Sequence, residues 1–283
     1  MKKIFLPIIL VSICTSVWSI PPFDSTRNFF AGVSINYLNI NPQLTGYSSQ
    51  NTIDGESFGW NDWTSEEIDE LNEYIDIRHY WFSPGLIFGG DIIPKTEKPF
   101  SLKVSAQIGY PIFGHTEKQK STGDIEYQGK QHGYDFFGGL TFDLEYKLSQ
   151  WSIVLRPSIN YLYVNSKKVD YNYLPEGSYD TKYDLITQSL YTRMDALASY
   201  SLKKIQFFAG PGIYYYQNKS QLDIIKDSQS QTFKDEIKMD YQSTGIVDAV
   251  LGVNWELFNH FLWSSHIRIA TEKMFETSFV YNF

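Results

Sequence analysis

Residues 101–112 read SLKVSAQIGYPI, and they alternate. Leu102, Val104, Ala106, Ile108, Tyr110 and Ile112 take turns with Ser101, Lys103, Ser105, Gln107 and Gly109. In an extended chain successive side chains point to opposite faces, so a period of two gives one strand an apolar face and a polar face. A strand this long and regular, with lysine and glutamine on the reverse of an unbroken apolar face, suits a wall between hydrocarbon and a hydrated interior.

The next segment repeats the grammar. From Tyr134 to Leu148, Phe136, Leu140, Phe142, Leu144 and Tyr146 face one way, and Asp135, Thr141, Asp143, Glu145 and Lys147 the other. Charges at every second position would ruin the core of a β-sandwich but are tolerated in a barrel lumen. Working outward gives ten segments, near 28–39, 73–91, 100–114, 134–149, 151–166, 187–202, 204–218, 239–256, 261–271 and 275–283. Short connections alternate with long polar ones at 40–72, 115–133, 167–186 and 219–238, the habit of barrels with turns on one side of the membrane and loops on the other. The expected fold is all-β, an up-and-down antiparallel transmembrane β-barrel of ten strands; one hairpin more or less would make it twelve or eight.

Composition agrees with that architecture. Of 283 residues 42% are hydrophobic and 17% aromatic, yet the mean hydropathy is −0.30. Beyond the N-terminus no run approaches the roughly 18 apolar residues that a spanning helix needs. The N-terminus reads as an export signal, with Lys2 and Lys3 before an apolar Ile4–Cys14 stretch and cleavage after Val17-Trp18-Ser19. Residues 1–19 are then signal peptide and 20–283 the barrel domain. A lipid-modified Cys14 competes as an anchor, although Ile13 is bulky where such sites prefer a small residue. Cys14 is the single cysteine, so cleavage leaves no disulfide, thiol nucleophile or cysteine metal site. The net charge of −8 becomes more negative once the leader lysines are gone, which disfavours nucleic acid and anionic lipid surfaces as partners.

The last strand carries the most specific motif. Phe275, Thr277, Phe279, Tyr281 and Phe283 share a face, and the chain ends on Phe283. This resembles the C-terminal signature of small outer-membrane β-barrel proteins, where a terminal aromatic after alternating apolar residues is read by the barrel-assembly machinery. The resemblance implies an outer-membrane address, membrane lipid as surroundings, and periplasmic chaperones and that machinery as partners during biogenesis. Tyr37, Trp81, Trp151, Tyr163, Tyr215, Tyr241, Trp255 and Trp263 fall near strand ends on the expected outer face, as an interfacial belt would.

Candidate lumen charges are Asp76, Arg78, Lys103, Asp143, Glu145, Arg156, Arg193, Asp195, Asp248, Arg268 and Glu276, joined inside by Phe30, Phe137, Phe208, Tyr191, Tyr214 and Tyr216. The near balance of sign points to ion pairs across a narrow lumen, whereas a ring of one sign would argue for an ion-selective pore. Ten strands enclose little more than the eight that side chains can fill, so a plugged barrel with a structural or surface-interaction role leads, and a narrow porin-like channel for small solutes follows.

Ten strands at this length also resemble the omptin surface proteases, which use paired aspartates and an Asp/His pair at the barrel lip. His115, His132 and Asp135, with Asp76 and His79, are the nearest candidates, but the Asp-x-Asp and Asp-x-His spacings are absent, so no omptin catalytic residue carries over. Ser264, Ser265 and His266 invite comparison with outer-membrane phospholipases. Adjacent residues point to opposite faces, which rules out a Ser265/His266 pair, and Ser264 shares a face with His266 only in the lumen. No catalytic, metal or cofactor residue is assigned.

The first long loop is acidic, with Asp54, Glu56, Asp62, Glu66, Glu67, Asp69, Glu70 and Glu73, but its spacing matches no EF-hand loop and reads as a solvated surface. Within it Thr64 and Glu67 form a capping-box pattern before a short helix over 65–71, a lid or contact knob. In the third loop Tyr171, Tyr173, Tyr179 and Tyr183 suit contact with an extracellular protein or glycan.

Overall fold

The computed structural model describes residues 29–93, 99–123, 125–131, 135–166, 180–227, 232–243, 247–258, 260–269 and 273–283. The expected signal peptide, with Cys14, lies outside them.

In chain order the elements are β1 (Phe29–Ile40), β2 (Gln43–Ile53), β3 (Glu56–Ser57), β4 (Asn61–Asp62), α1 (Ser65–Tyr74), β5 (Ile75–Ile93), β6 (Phe100–Gly109), β7 (Ile112–Gln119), β8 (Ile125–Gln131), β9 (Phe136–Leu148), β10 (Trp151–Ser166), β11 (Asp180–Leu202), β12 (Ile205–Asp227), β13 (Thr232–Ser243), β14 (Asp248–Phe258), β15 (Phe261–Ile269) and β16 (Lys273–Asn282). Ten of them close a ring in the order β1, β5, β6, β9, β10, β11, β12, β14, β15, β16, with every pairing antiparallel. The last strand returns to the first in register from Phe30↔Asn282 to Asn39↔Lys273. Closure follows from the solvent, because each unpaired backbone group facing hydrocarbon costs several kcal/mol. The outer wall is apolar: Val33, Leu86, Phe88, Ile108, Leu140, Ile153, Leu155, Ile213 and Leu251 are exposed on it. The chain is a closed ten-stranded barrel of the outer-membrane type.

The ring continues upward as a second tier. β11 and β12 have 23 residues each, whereas β15 and β16 have 9 and 10. Above that short hairpin β2, continuing β1 past Asn41-Pro42, pairs directly with β13 from Gln242↔Gln43 to Phe233↔Ile53. The wall therefore drops two strands, and fewer strands enclose a narrower lumen. β7 likewise continues β6 past Tyr110-Pro111, where the missing proline N–H breaks the ladder, and hydrogen-bonds the upper half of β5.

Much of what reads in the sequence as long loop is therefore strand: β2, β7, β8, β13 and the upper ends of β11 and β12. The first loop also holds a turn signal of its own. Asp54-Gly55 connects β2 to β3 with φ of 49° and 86°, the pair of positive values that a type I′ hairpin turn requires. The short helix is present and longer than expected. Thr64 Oγ1 accepts from Glu67 N at 3.3 Å, while Glu67 Oε2 accepts from Thr64 N at 2.8 Å, closing the capping box. Ile68, its buried residue, packs with Leu44, Ile77 and Tyr241, so α1 sits over the upper lumen.

Candidate functional site

The lumen is built in layers. In the lowest, a chain of polar side chains crosses six strands: Glu145 accepts from Ser152, Ser152 meets Ser199, Ser199 accepts from Gln206 at 3.0 Å, Gln206 from Asn254 at 3.0 Å, and Asn254 from Ser264 at 2.7 Å. Lys103 stands beside it, its ammonium 4.3 Å from the Phe30 ring.

The second layer holds the charges. Arg156 Nε donates to Asp143 at 2.6 Å, Arg193 donates to Glu276 at 3.2 Å and lies 3.9 Å from Asp195, and the fully buried Arg268 bridges Asp195 and Asp248. Gln107 donates to Glu276 at 2.8 Å and accepts from Asn36 at 3.2 Å, and His266 lies 3.4 Å from Glu276. A side chain at Gly212 would collide with Asp195 and Arg268, so a glycine there makes room for the pair. Gln107 and His266 are on faces the alternation assigns to the lumen, but an ion list omits them because one is neutral and the other reads as a failed catalytic residue. Losing one partner from a pair this buried typically costs about 3–5 kcal/mol.

Asp76 and Arg78 do not join this cluster. They pair with each other at 3.0 Å on the outside of the upper tier, while Ile77, His79 and Trp81 point inward. The face assigned from the sequence is reversed there, and Trp81 and Tyr241, expected in the outer belt, are buried in the lumen at 3% and 1% exposure. The reason is the medium. Above the membrane the outer wall meets water, so the polar set turns out and the apolar set in. Trp151, Tyr215 and Trp255 are exposed on the outer wall. Phe275, Phe279, Tyr281 and Phe283 lie on that wall too, Phe279 stacked on Phe261 with centroids 5.4 Å apart.

The third layer is apolar. Leu38, Ile40, Trp81, Phe113, Leu162, Val164, Tyr191, Tyr214, Tyr216 and Met274 form one buried cluster directly above the charges. Fully burying one such aliphatic or aromatic side chain is worth about 1.5–3 kcal/mol. Over it runs a polar chain: Tyr216 hydroxyl to His79 Nδ1 at 2.8 Å, His79 Nε2 to His115 Nδ1 at 2.8 Å, and His115 Nε2 to Glu117 at 2.7 Å. All four imidazole nitrogens are engaged within this chain. Of the other hydrolase candidates, His132 is outside the described residues, Asp135 accepts from the Asn165 backbone at 3.3 Å, and Ser264 and His266 are held by Asn254 and Glu276. Among the described residues no three His, Cys, Asp or Glu side chains converge as a metal ion needs.

At the upper end a cleft of about 580 Å³ opens between the upper strands and the first loop. Tyr47 and Trp63 lie together in it, ring centroids 4.3 Å apart and tilted by 38°. Its lining also includes Asp62, Gln188, Lys219 and Asp240, and Gln188 and Lys219 are on the outward face of β11 and β12, next to the buried inward residues Thr187, Ser189 and Asn218. Burial, reinforced by Asp235 and Glu117, raises the Tyr47 hydroxyl above its ordinary range and keeps it protonated. On the rim the Lys238 ammonium stands 3.7 Å from the Trp60 ring. Tyr171, Tyr173 and Tyr179 lie outside the described residues, and for Tyr183 only the backbone is described.

No protein-family model matches the chain, and no curated protein sequence does. Among solved structures it is similar to the outer membrane protease OmpT from Escherichia coli, at 8% identity over 93% of this chain and 99% of that one, with a TM-score of 0.42. It is also similar to the transport unit of the autotransporter AIDA-I from Escherichia coli, at 9% identity over 97% of each chain and a TM-score of 0.39. A third is the outer membrane protein OprG from Pseudomonas aeruginosa, at 12% identity over 90% and 95% and a TM-score of 0.35. Likeness at this level transfers no activity.

Proposed function

We propose that the chain is exported through a signal peptide cleaved after Ser19 and works as a sealed outer-membrane barrel, with a structural and surface-contact role carried by its extracellular face. The observation that carries this reading is the apolar layer of Trp81, Phe113, Leu162, Tyr191 and Tyr216 across the lumen. Ions cross hydrated paths, and a closely packed apolar layer offers them neither water nor charge. The charge layer below it supports the same reading, because its cations and anions are spent on each other. The exposed aromatics of β16 fit a barrel inserted by the assembly machinery.

The test is planar-bilayer conductance of refolded residues 20–283, with a heat-modifiable gel shift as proof of folding. A folded, electrically silent barrel is expected. Steady conductance from a folded sample overturns the reading in favour of a narrow channel, and cleavage of a peptide library by the same sample overturns it in favour of a hydrolase.

A further inference from the structure

Above the closed ring the wall divides into two sheets. The upper half of β5 pairs with β7 and β7 with β8, while β2, β13, β12 and the upper part of β11 pair in turn; among the described residues no ladder joins β8 to β10 or β11, or β2 to β5. The two sheets meet across the lumen through side chains. We propose that the hydrogen-bonded row of Tyr216, His79, His115 and Glu117 is an acid-operated latch, which holds these sheets together at neutral pH and releases them as pH falls. The latch stands above the sealed lumen and does not depend on it.

His79 and His115 are paired positions on β5 and β7, both buried, with Nε2 of one 2.8 Å from Nδ1 of the other. Tyr216 is fully buried on β12, in the opposite sheet, and its hydroxyl reaches His79 Nδ1 at 2.8 Å. Glu117 fixes the direction of the row. Its carboxylate only accepts, so His115 Nε2 carries a proton and, in the neutral ring, His115 Nδ1 accepts from His79 Nε2–H. His79 Nδ1 is then left to accept from the Tyr216 hydroxyl. One added proton is accommodated. On His115 Nδ1 it makes that atom the donor, His79 takes its other tautomer and donates from Nδ1 to the Tyr216 oxygen, and the Tyr216 hydroxyl turns to Ser189 Oγ, 3.4 Å away. The His115 imidazolium keeps Glu117 as counter-ion at 2.7 Å. A second proton is not accommodated, because it puts N–H groups on both facing nitrogens and two cations side by side with no acceptor between them.

The surroundings are apolar and aromatic. The rings of Phe113 on β7 and Tyr241 on β13 lie 5.3 Å and 4.6 Å from that of His79. Of the titratable groups on this side, β7 gives Glu117, β13 gives Asp235 and Tyr241, β12 gives Tyr214 and Tyr216, and β2 gives Tyr47, which both carboxylates reach electrostatically. β11 presents Thr187 and Ser189. The acidic side chains of α1 are exposed, Asp76 and Arg78 face outward on β5, and Lys219, Lys234 and Lys238 occupy outward positions of β12 and β13. The closed pair therefore holds one proton at most, whereas parted histidines in water each take one near the ordinary value of about 6.5. A form that binds one proton more gains about tenfold in population for each pH unit below that value.

The experiment measures amide exchange of the refolded mature barrel in detergent by mass spectrometry, as protection factors corrected for intrinsic exchange, from about pH 7.5 to about pH 5. Protection of β7 and α1 should fall by up to about tenfold per unit below about pH 6.5, while β15 and β16 keep theirs. His79→Gln preserves both hydrogen bonds through its amide and leaves one imidazole, so closed and open forms hold equal numbers of protons and the slope should vanish. Glu117→Gln, at the partly exposed end of the row, removes the counter-ion of the first proton, so protection should be lost at higher pH and more steeply. A wild-type profile that does not change with pH overturns the latch, and so does a slope that His79→Gln retains. If His79→Gln gives no heat-modifiable band, Glu117→Gln decides, and a profile identical to the wild type overturns the latch.

Discussion

The two halves of β5 face opposite solvents. From Phe82 to Ile92 the outer positions are Phe82, Leu86, Phe88 and Ile92, all exposed and apolar, while Ser83, Gly85, Gly89 and Asp91 alternate with them on the inner side. From Asp76 to Trp81 the outer positions carry Asp76 and Arg78, and the inner ones Ile77 and Trp81. The period of two never breaks along this strand, but its sign reverses. Alternation fixes which residues share a face, and the medium beyond the wall fixes which face is apolar. The same reversal divides the lumen, with ion pairs at membrane depth and an apolar layer above.

The largest effect should come from the lower half. Arg268→Met keeps the volume but removes the buried guanidinium that bridges Asp195 and Asp248, a loss of about 3–5 kcal/mol. The refolded variant should lose its heat-modifiable band at markedly lower urea than the wild type. Restoring neutrality with Asp195→Asn and Asp248→Asn in the same chain should recover most of the difference. If the triple variant is no better than the single one, Arg268 acts by packing, and the two halves of the lumen differ less than their chemistry suggests.

A smaller effect tests the reversal on β5 itself. Leu86→Lys puts a charge on the outer wall beside Val33 and Ile108, at a cost of about 2–4 kcal/mol near mid-membrane. Arg78→Ala, eight residues along the same outer face, removes a partly exposed ion pair worth at most about 1 kcal/mol. Urea titrations of the two variants in lipid vesicles measure the contrast directly. Equal losses would mean that the membrane boundary does not fall between these positions.

This contrast also marks where sequence reading stopped. The ten wall segments were legible because every one alternates and because the last ends on Phe283. The inward positions of Lys103, Asp143, Arg156, Arg193, Asp195, Asp248 and Arg268 followed from the same rule, since each lies opposite a lipid-facing residue. Asp76, Arg78, Trp81 and Tyr241 were placed on the wrong side because the rule assumed lipid outside along the whole strand, and nothing local announces where lipid gives way to water. The pairing of β2 with β13 was illegible for another reason. It joins strands almost 200 residues apart, above a hairpin whose shortness matters only once the ring has closed. Of the cleft, the acidic loop is visible in the sequence, but its position over Leu44 and Tyr241 depends on that distant pairing.

The smallest effect belongs to α1, the one helix among the described residues of the upper tier. Thr64→Ala removes the N-cap oxygen that accepts from Glu67 N, a change worth about 1 kcal/mol at such positions. The loss should be local, with α1 amides exchanging about fivefold faster while the gel shift of the barrel is unchanged. Glu67 supplies an independent reading. Hydrogen bonds from the Thr64 backbone and hydroxyl hold its carboxyl below the ordinary range, so the cap is stabilised by ionised Glu67. That contribution is complete above the ordinary carboxylate range and is lost as pH falls through the lowered folded value. Carbon-detected NMR titration of Glu67 should therefore find its midpoint higher in Thr64→Ala than in the wild type. An unmoved midpoint would mean that the box is not formed in solution. Ile68 would then be held over the lumen by its contacts with Leu44, Ile77 and Tyr241 alone, making the apolar layer rather than the cap the organiser of the upper tier.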